Sequence, residues 1–500
     1  MKNILEFLEN DVKRFSDKFA FGDENGFLTY GNLYESAKKI GTAVAKKGLN
    51  NKPVAVYLDK SVNTVAAMLG TVYGGAFYAV VDAEMPNERI LKVFSTLKPA
   101  AIITDKKYFD NAKALGVNEI ILIEDALVSD IDEGLLCSIR DAQIDTDPLY
   151  ALYTSGSTGM PKGALLTHKN VLAYSEWAVK TFDFDENTVF GNQTPFYFSM
   201  SVTDIYSTLR AGATLVIIPK MFFTFPVKLI DFLNEHKVNT VYWVPSAMAI
   251  VSSLKLFDIA KPKYLKTVLF AGEVMPVKHL NYWIKSLGKD LLYANLYGPT
   301  EATDICTYFT VNRDFDDNAV LPIGTHCDNC NVFIVNEKNK PAEKGEEGEL
   351  YIRGSFLAAG YYNNPEKTAE AFVQNPLNSA YPETVYKTGD LVRLNENGEI
   401  EYICRKDFQI KHMGYRIELG EIEAAASAVE KVSECACVYD GKNDKIILFY
   451  SARRCSEEEL ISALAEKLTS YMMPSKAVKL AVMPHNQNGK IDRKALKEMI

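Results

Sequence analysis

The chain has 500 residues and a formal net charge of −9, from 55 basic and 64 acidic side chains. Its 47% hydrophobic and 24% charged residues are typical of globular domains, and they exclude intrinsic disorder and collagen-like repetition. The acidic balance argues against a protein that coats nucleic acid. No apolar run reaches the roughly 18 residues that a membrane span requires.

Composition also predicts the compartment and the state of the thiols. The first fifteen residues mix acids and bases too early for a signal peptide, and eight cysteines are too few for a disulfide scaffold. We therefore expect a cytoplasmic monomer with reduced thiols and no nucleic-acid or membrane partner. Cys327 and Cys330 form a CxxC pair, but no second pair stands at zinc-ribbon spacing, so we interpret them as two loop thiols.

Strands and helices are predicted to alternate over the first 300 residues. An amphipathic helix comes first, from the apolar spacing within residues 4–12. Buried strands follow at 54–58, 77–82, 100–105, 119–124, 240–246 and 267–273, with a small-residue helix at 64–76. Strands and helices at this spacing predict parallel sheets covered by helices, an α/β fold.

The predicted pattern of helices and strands changes twice further along the chain. After about Asn312, strands separated by Gly and Asn turns (331–336, 348–354, 385–394 and 398–405) predict an antiparallel, barrel-like module. From Asp407, helices at 418–432 and 457–468 flank strands at 435–440 and 445–452, which predicts a small α+β domain of about 90 residues. We therefore predict a large domain, 1–406, made of helix-covered sheets and a small β-barrel, and a mobile C-terminal domain, 407–500.

The strongest motif is YTSGSTGMPKG, residues 153–163. Its three glycines allow backbone N–H groups to face phosphate oxygens without Cβ clashes, its Ser and Thr residues add hydroxyl donors, and Lys162 adds a positive charge. Lys162 is followed by Gly163 rather than Ser or Thr, which excludes the nucleotide P-loop spacing. The alternative, a flexible Ser/Gly turn, does not need Pro161, Lys162 and Gly163 in register.

Three further motifs follow in a fixed order. NLYGPTEAT, 295–303, contains a Gly–Pro turn followed by Glu301, a carboxylate suited to holding Mg²⁺ on phosphates. YKTGDLVR places Asp390 after a Gly turn, where an acid can accept both hydroxyls of a ribose. NGKIDR places Lys490 in a turn near the C-terminus. Each motif alone has a plausible interpretation as a turn or a solvated charge. All of them in this order do not have that interpretation.

Together these motifs resemble the adenylate-forming superfamily along essentially the whole chain. The likeness is closest to amino-acid adenylation domains and D-alanine:carrier-protein ligases, through phrases such as LTYGNL, VVDAEMPNERI, YGPTEAT and FQIKHMGYRIELGEIE. The resemblance implies two steps with ATP and Mg²⁺ as cofactors. A carboxylate attacks the α-phosphate to give an acyl-adenylate and pyrophosphate, and a thiol then attacks the acyl carbon and releases AMP.

The resemblance also implies roles for individual residues. The glycine-rich loop would hold the β- and γ-phosphates through Thr154, Ser155, Gly156, Ser157, Thr158, Gly159 and Lys162. The remaining nucleotide contacts would come from Asn295 and Tyr297 on adenine, Thr300 on the α-phosphate, Glu301 on Mg²⁺, Asp390 on the ribose, and Tyr402 and Arg405 beside the nucleotide. Lys490 would bridge the acid and the nucleotide, and Asp407 would be the hinge whose rotation withdraws Lys490 for the second step.

The implied acid pocket is made of Ser199, Met200, Thr203, Trp243, Leu269, Ala271, Leu296, Asp304 and Ile305. Amino-acid-activating members place an aspartate where Ser199 stands, so the usual partner of an α-ammonium is missing. Asp304 instead puts a carboxylate where an apolar residue is common, and a buried carboxylate needs a partner. That partner is a substrate amine displaced from the α-position, another substrate hydroxyl or cation, or a protein group such as Thr303 or Thr203. Asp204 is interpreted as structural.

Three functions remain open at this stage. The first is an enzyme that loads an amino acid onto the phosphopantetheine thiol of a carrier protein. Because no carrier module follows Lys490 before Ile500, we expect that carrier to act in trans. The second is an acid:CoA ligase that forms an acyl- or aryl-CoA. The third is a nucleotide-binding scaffold without catalysis. Four intact residues argue against it: Lys162, Glu301, Asp390 and Lys490.

Overall fold

The computed structural model describes residues 1–156, 160–406, 409–441, 443–485 and 491–500. The chain divides into two compact units. The first comprises Met1–Ala83, Lys98–Leu152 and Ala164–Cys404, and the second comprises Glu84–Leu97, Tyr153–Gly163 and Arg405–Ile500. The proposed boundary between domains 1–406 and 407–500 stays a prediction.

Helices and strands alternate over most of the chain. The helices are α1 (Leu5–Phe15), α2 (Tyr30–Ala45), α3 (Val62–Tyr73), α4 (Asn87–Leu97), α5 (Phe109–Ala114), α6 (Ile123–Leu127), α7 (Glu133–Ala142), α8 (His168–Phe182), α9 (Met200–Ala211), α10 (Pro226–Glu235), α11 (Pro245–Ser253), α12 (Val277–Leu287), α13 (Pro365–Ala371), α14 (Leu419–Ser427), α15 (Glu457–Ala465) and α16 (Arg493–Lys497). Short 3₁₀ helices lie at Lys220–Phe223, Leu256–Asp258, Thr300–Ala302 and Ser470–Met472.

The strands are β1 (Phe19–Asp23), β2 (Gly26–Thr29), β3 (Pro53–Tyr57), β4 (Phe77–Val81), β5 (Ala101–Thr104), β6 (Ile120–Leu122), β7 (Pro148–Thr154), β8 (Lys162–Thr167), β9 (Val189–Asn192), β10 (Thr214–Ile217), β11 (Thr240–Trp243), β12 (Thr267–Phe270), β13 (Leu292–Tyr297), β14 (Thr307–Thr310), β15 (Thr325–His326), β16 (Cys330–Val335), β17 (Glu347–Gly354), β18 (Phe372–Gln374), β19 (Thr384–Leu394), β20 (Ile400–Arg405), β21 (Gln409–His412), β22 (Tyr415–Glu418), β23 (Val432–Asp440), β24 (Lys445–Ala452) and β25 (Lys476–Lys479).

A six-stranded sheet with the order β6-β5-β3-β4-β7-β8 forms the first layer. Strand β3 pairs in parallel with β4 and β5, and all five of its residues are buried. Helix α3 connects β3 to β4 and starts where the Ser61 side chain accepts a hydrogen bond from the Thr64 backbone N–H. Strands buried on both faces are continuously apolar, so the predicted strands at 54–58 and 77–82 were readable from sequence.

A nine-stranded sheet with the order β15-β14-β13-β12-β11-β9-β10-β1-β2 carries much of the candidate site. Its central strands β10, β9, β11, β12 and β13 are parallel, while β14, β15 and β2 pair antiparallel at the edges. Helices α9, α10, α11 and α12 connect the parallel strands in turn. The carboxyl ends of parallel strands meet at one edge, which is where ligands bind in open α/β sheets.

The later part of the chain is antiparallel and then mixed, as predicted. Strands β16, β17, β19 and β18 pair antiparallel in that order, and β20 pairs with β19. In the second unit, β21 and β22 form a hairpin, and β23, β24 and β25 form a three-stranded sheet. A separate core packs that sheet against α14 and α15, with Ile422, Leu448 and Leu460 fully buried. No helix within the described ranges is long and apolar enough to cross a membrane.

Candidate active site

The glycine-rich loop connects β7 to β8 and lies in the second unit. Thr154 ends β7, Lys162 begins β8, and the Thr154 hydroxyl donates to the Lys162 backbone carbonyl at 3.5 Å. A Cβ at position 156 would lie 2.0 Å from the Met160 carbonyl oxygen, so the close return of the loop requires Gly156. The predicted phosphate contacts Ser157, Thr158 and Gly159 lie outside the described residues.

Ser155 takes a different contact from the one that the motif predicts. Its side chain is buried, and its hydroxyl donates to the Arg416 backbone carbonyl at 2.5 Å. The same oxygen accepts the backbone N–H of Glu418 at 3.1 Å. Because both partners belong to β22, the Ser155 hydroxyl joins the loop to the C-terminal hairpin, and its contact with phosphate stays a prediction.

The turn after β13 positions Glu301. A Cβ at position 298 would lie 2.2 Å from the Asp304 carbonyl oxygen, so Gly298 is needed for the chain to pass close to itself. The 3₁₀ helix Thr300–Ala302 then places the Glu301 carboxylate where it is completely buried. Its Oε1 accepts the hydroxyl of Tyr361 at 2.5 Å. This buried carboxylate therefore has a specific hydroxyl donor that the sequence analysis missed.

Segment 355–361 supplies that donor and is fixed along its length. The Asn170 side-chain amide donates to the carbonyls of Ser355 and Leu357, each at 2.8 Å. The Ala358 backbone N–H donates to the Glu301 carbonyl at 2.9 Å, and Gly360 accepts the Leu165 N–H at 2.9 Å. Asn170 also closes the capping box that starts α8. The segment is thus bonded both to the Glu301 turn and to the chain that enters α8.

A second group of predicted nucleotide residues comes together at β13, β19 and β20. The Tyr297 hydroxyl donates to Oδ2 of Asp390, and both side chains are buried. The rings of Tyr297 and Tyr402 lie 6.4 Å apart between centroids. Asn295 is buried and its side-chain amide donates to the Pro322 carbonyl at 2.8 Å. The structure therefore brings Tyr297, Asp390 and Tyr402 into one cluster.

Other predicted residues are placed singly. Thr300 is buried at the start of its 3₁₀ helix, and Arg405 is the last residue of β20. Lys490 and Asp407, the predicted catalytic lysine and hinge, lie outside the described residues.

Asp304 lies in a compartment of hydroxyl groups. Its side chain is 1% exposed, and its Oδ2 accepts the hydroxyls of Thr203 at 2.6 Å, Tyr174 at 3.1 Å and Tyr242 at 3.1 Å. Burial raises the pKa of Asp304 to about 6, although these hydroxyls and that of Ser199 lower it. Of the two protein partners considered for Asp304 from sequence, Thr303 and Thr203, the structure therefore shows Thr203.

The register of the parallel strands decides which residues share a face with Asp304. Tyr242 pairs with Leu269, and Leu269 pairs with Ala294, two residues before Leu296. Since paired residues share a face and alternate residues return to it, Tyr242, Leu269, Ala271 and Leu296 face one side. All are buried, as are Met200 and Ile305.

Trp243 lies on the opposite face of β11, which corrects its predicted place in the pocket. Its indole N–H donates to the Gly191 carbonyl at 2.9 Å, and its ring packs edge-on against Phe223 and Trp283. The neighbouring Tyr242 instead directs its hydroxyl to Asp304. Residues on a strand alternate between faces, so a slip of one position in the predicted register explains the difference.

Sequence reasoning also missed Tyr174, Tyr242 and Tyr361. Tyr174 is buried on α8, but nothing local in the sequence showed that its hydroxyl meets a carboxylate 130 residues away. Thr303 was a candidate partner for Asp304, but its hydroxyl donates to the Phe356 carbonyl at 2.8 Å.

Comparison with known proteins identifies the class. The AMP-binding enzyme family matches residues 8–362, and its C-terminal domain matches residues 421–490. The chain therefore belongs to the AMP-binding enzymes, which confirms the predicted adenylate-forming superfamily.

The relatives include both a protein of similar length and much longer ones. The chain is 33% identical over 516 residues to L-proline--[L-prolyl-carrier protein] ligase of Pseudomonas fluorescens, with 100% of both chains covered. It is 33% identical to bacitracin synthase 1 of Bacillus licheniformis and 31% identical to tyrocidine synthase 1 of Brevibacillus parabrevis. Those matches cover 99% of this chain but only 9% and 45% of the two synthases, so the chain spans less than half the length of either.

Solved structures share the fold at lower identity. An artificially fused adenylation–PCP di-domain NRPS from Klebsiella oxytoca superposes with a TM-score of 0.83 at 21% identity, covering 95% of this chain and 93% of the other. An o-succinylbenzoate CoA synthetase from Bacillus subtilis gives 0.85 at 18% identity, covering 100% and 98%. These likenesses confirm the predicted α/β fold.

Proposed function

We propose that this protein activates an amino acid with ATP and transfers it to the phosphopantetheine thiol of a carrier protein in trans. The observation that carries the proposal is the match over its full length to a ligase whose name specifies an amino acid and its carrier protein. The buried Glu301 and the Tyr297–Asp390 pair support it, because the motifs assign these residues to the nucleotide. A cytoplasmic setting, where ATP is supplied, remains part of the prediction.

In the first step, a carboxylate oxygen attacks the α-phosphorus of ATP and the bond to the β-phosphate breaks, releasing pyrophosphate. Thr300 would contact the α-phosphate, and Lys162 would hold the β- and γ-phosphates. Lys490 would offset the charge that develops as the two anions meet. In the second step, the thiolate sulfur attacks the acyl carbon and AMP leaves with the electrons of the broken C–O bond.

The residues around Glu301 fit a magnesium ion. Mg²⁺ is usually held by one or two carboxylates together with substrate phosphates, and a single buried carboxylate matches that donor set. When bound, the ion would neutralise charge on the polyphosphate. Tyr361 would keep the Glu301 carboxylate in one orientation through its hydroxyl. The ribose would be held by Asp390, which the Tyr297 hydroxyl orients in turn.

Two assays with purified protein test the proposal. Acid-dependent exchange of pyrophosphate into ATP, screened across amino acids, aryl acids and short fatty acids, reports the first step. Thioester formation with holo-carrier protein is then compared with formation on CoA. We expect exchange with an amino acid and transfer to the carrier. Faster transfer to CoA would support the acid:CoA ligase instead. If no acid supports exchange, the protein would be interpreted as a nucleotide-binding scaffold without catalysis.

A matched pair of lysines tests the glycine-rich loop. Lys162→Ala removes the charge assigned to the β- and γ-phosphates and should lower exchange by ~10-fold or more, since charge-assisted hydrogen bonds contribute about 1.5–3 kcal/mol. Lys169→Ala removes an exposed lysine seven residues along the same stretch and should leave exchange unchanged. Equal rates in the two variants would contradict the role of Lys162.

A further inference from the structure

Among the described residues, the hydrogen-bond donors to the buried carboxylate of Asp304 are all neutral. Three hydroxyls converge on its Oδ2, from Thr203, Tyr174 and Tyr242. Within the described ranges, none of the hydrogen bonds ends on its Oδ1, and no Lys, Arg or His forms an ion pair with it. A buried carboxylate whose donors are all neutral lacks the positive charge that normally accompanies one.

A second buried acid nearby shows the contrast. Asp204 follows Thr203 on α9 and is equally buried. It accepts the Asn192 side-chain amide at 2.6 Å. Burial raises the pKa of Asp204 to about 8, and the positive charge of Lys60 offsets only part of that rise. The Lys60 ammonium in turn donates to the backbone carbonyl of Gln193 at 3.0 Å. Asp204 thus has a lysine among its surroundings, whereas no Lys, Arg or His of the described residues forms an ion pair with Asp304.

The surroundings of Asp304 combine a polar end with apolar walls. Leu269, Ala271 and Leu296 share the face of the sheet to which Tyr242 belongs. The side chain of Ser199, directly before α9, is a further hydrogen-bonding group at Asp304 and lowers its pKa, against the larger effect of burial. An acid with a short apolar stem and one positive group fits such walls, because the stem meets the aliphatic side chains and the positive group meets the carboxylate.

We propose that Asp304 recognises the acid substrate by pairing its Oδ1 with a primary ammonium group of that acid. The inference rests on the proposed function and names the substrate feature that the site selects. The hydroxyls of Thr203, Tyr174 and Tyr242 fix the carboxylate through Oδ2. Oδ1 would then accept the ammonium, with the Ser199 hydroxyl as a further neutral neighbour. With a pKa of about 6, the carboxyl is mainly ionised at pH 7, and a bound ammonium favours that form further.

Matched pairs of acids test the proposal in acid-dependent pyrophosphate exchange at pH 8. The probes are alanine, β-alanine and 4-aminobutyrate, with propionate and butyrate as analogues that lack the amine. In the wild-type protein we expect kcat/KM at least ~100-fold higher for one of the amine-bearing acids than for its amine-free analogue. The position of the amine in the best acid distinguishes an α- from a β- or γ-amino acid.

Two isosteric variants complete the design. Asp304→Asn should lower kcat/KM for the preferred amino acid by ~10- to 100-fold and leave the amine-free analogue within about twofold, which abolishes the discrimination. Asp204→Asn changes the neighbouring buried acid, which is bonded to the Asn192 side chain, and it should change kcat/KM for both acids of a pair by the same factor.

The outcomes distinguish the amine assignment to Asp304 from the proposed activation reaction. If Asp304→Asn lowers both acids of a pair equally, or if the wild type does not discriminate between them, the amine assignment is overturned while the activation reaction stands. If no acid supports exchange in the wild type, the proposed function itself is overturned, and the amine assignment with it. The wild-type comparison needs no variant, so a lack of discrimination there overturns the amine assignment even if Asp304→Asn does not fold.

Discussion

Removing the Tyr361 hydroxyl should weaken the use of magnesium without changing the fold. In Tyr361→Phe, the buried Glu301 carboxylate loses a donor that lies 2.5 Å from Oε1, while the ring keeps its edge-on contact with Phe372 at 5.6 Å between centroids. A hydrogen bond to a charged group contributes about 1.5–3 kcal/mol, which corresponds to about 10- to 150-fold in a rate or binding constant. We therefore expect exchange to fall by ~10- to 100-fold and half-saturation to move to higher Mg²⁺.

The assay is a Mg²⁺ titration of acid-dependent pyrophosphate exchange at saturating ATP, with thermal unfolding measured alongside. Tyr362→Phe is the matched control, because it removes the same atom one residue further on, where the ring packs against Phe77 at 5.2 Å. That control should follow the wild-type titration. If Tyr361→Phe also follows it, the hydroxyl does not position Glu301 and the reasoning fails.

Three further predictions concern other contacts of the site. Tyr297→Phe removes the hydroxyl bonded to Asp390 and should raise the KM for ATP several-fold, with little change in kcat, which initial rates over an ATP series would reveal. Tyr242→Phe should change the preference among acids, because its hydroxyl contacts Asp304. Trp243→Phe should lower the melting temperature and leave the preference unchanged, because Trp243 packs on the opposite face. The opposite pattern would mean that Trp243 faces the acid, as predicted from sequence. Burial raises the pKa of Asp204 from its ordinary 3.8 to about 8 in the folded protein. The folded state therefore binds a proton that the unfolded state releases above about pH 4. As a result, the contribution of Asp204 to the free energy of unfolding is lost as the pH rises from about 4 through 8. Asp204→Asn should therefore flatten the decline of the free energy of unfolding in that window, as measured by urea titration at several pH values.

Local chemistry made much of the fold predictable. Strands such as β3 are apolar at every position because both faces are covered. The small-residue helix was predicted at 64–76, but it begins at Val62, where Ser61 caps it. The turn at Gly298 was also readable, because only glycine permits the approach of a backbone atom at 2.2 Å from its would-be Cβ.

The rest depended on contacts that no local pattern encodes. Tyr361 reaches Glu301 across 60 residues of sequence, and Tyr174 reaches Asp304 across 130. Whether Tyr242 faces the pocket follows from strand register, where a slip of one residue exchanges the two faces. The Ser155 hydroxyl shows the same limit, because its motif predicts phosphate contact while its bonding partners come from β22.

The anchoring of segment 355–361 has a practical consequence for engineering. Its hydrogen bonds to Asn170, Leu165 and Glu301 tie three stretches that are distant in sequence into one small rigid frame. A chimaera that exchanges the Glu301 turn with that of a relative, but keeps its own segment 355–361, must preserve the Tyr361–Glu301 and Thr303–Phe356 hydrogen bonds across the junction. Transplants aimed at a new acid should therefore move residues 164–170, 298–304 and 355–361 together, as a single graft.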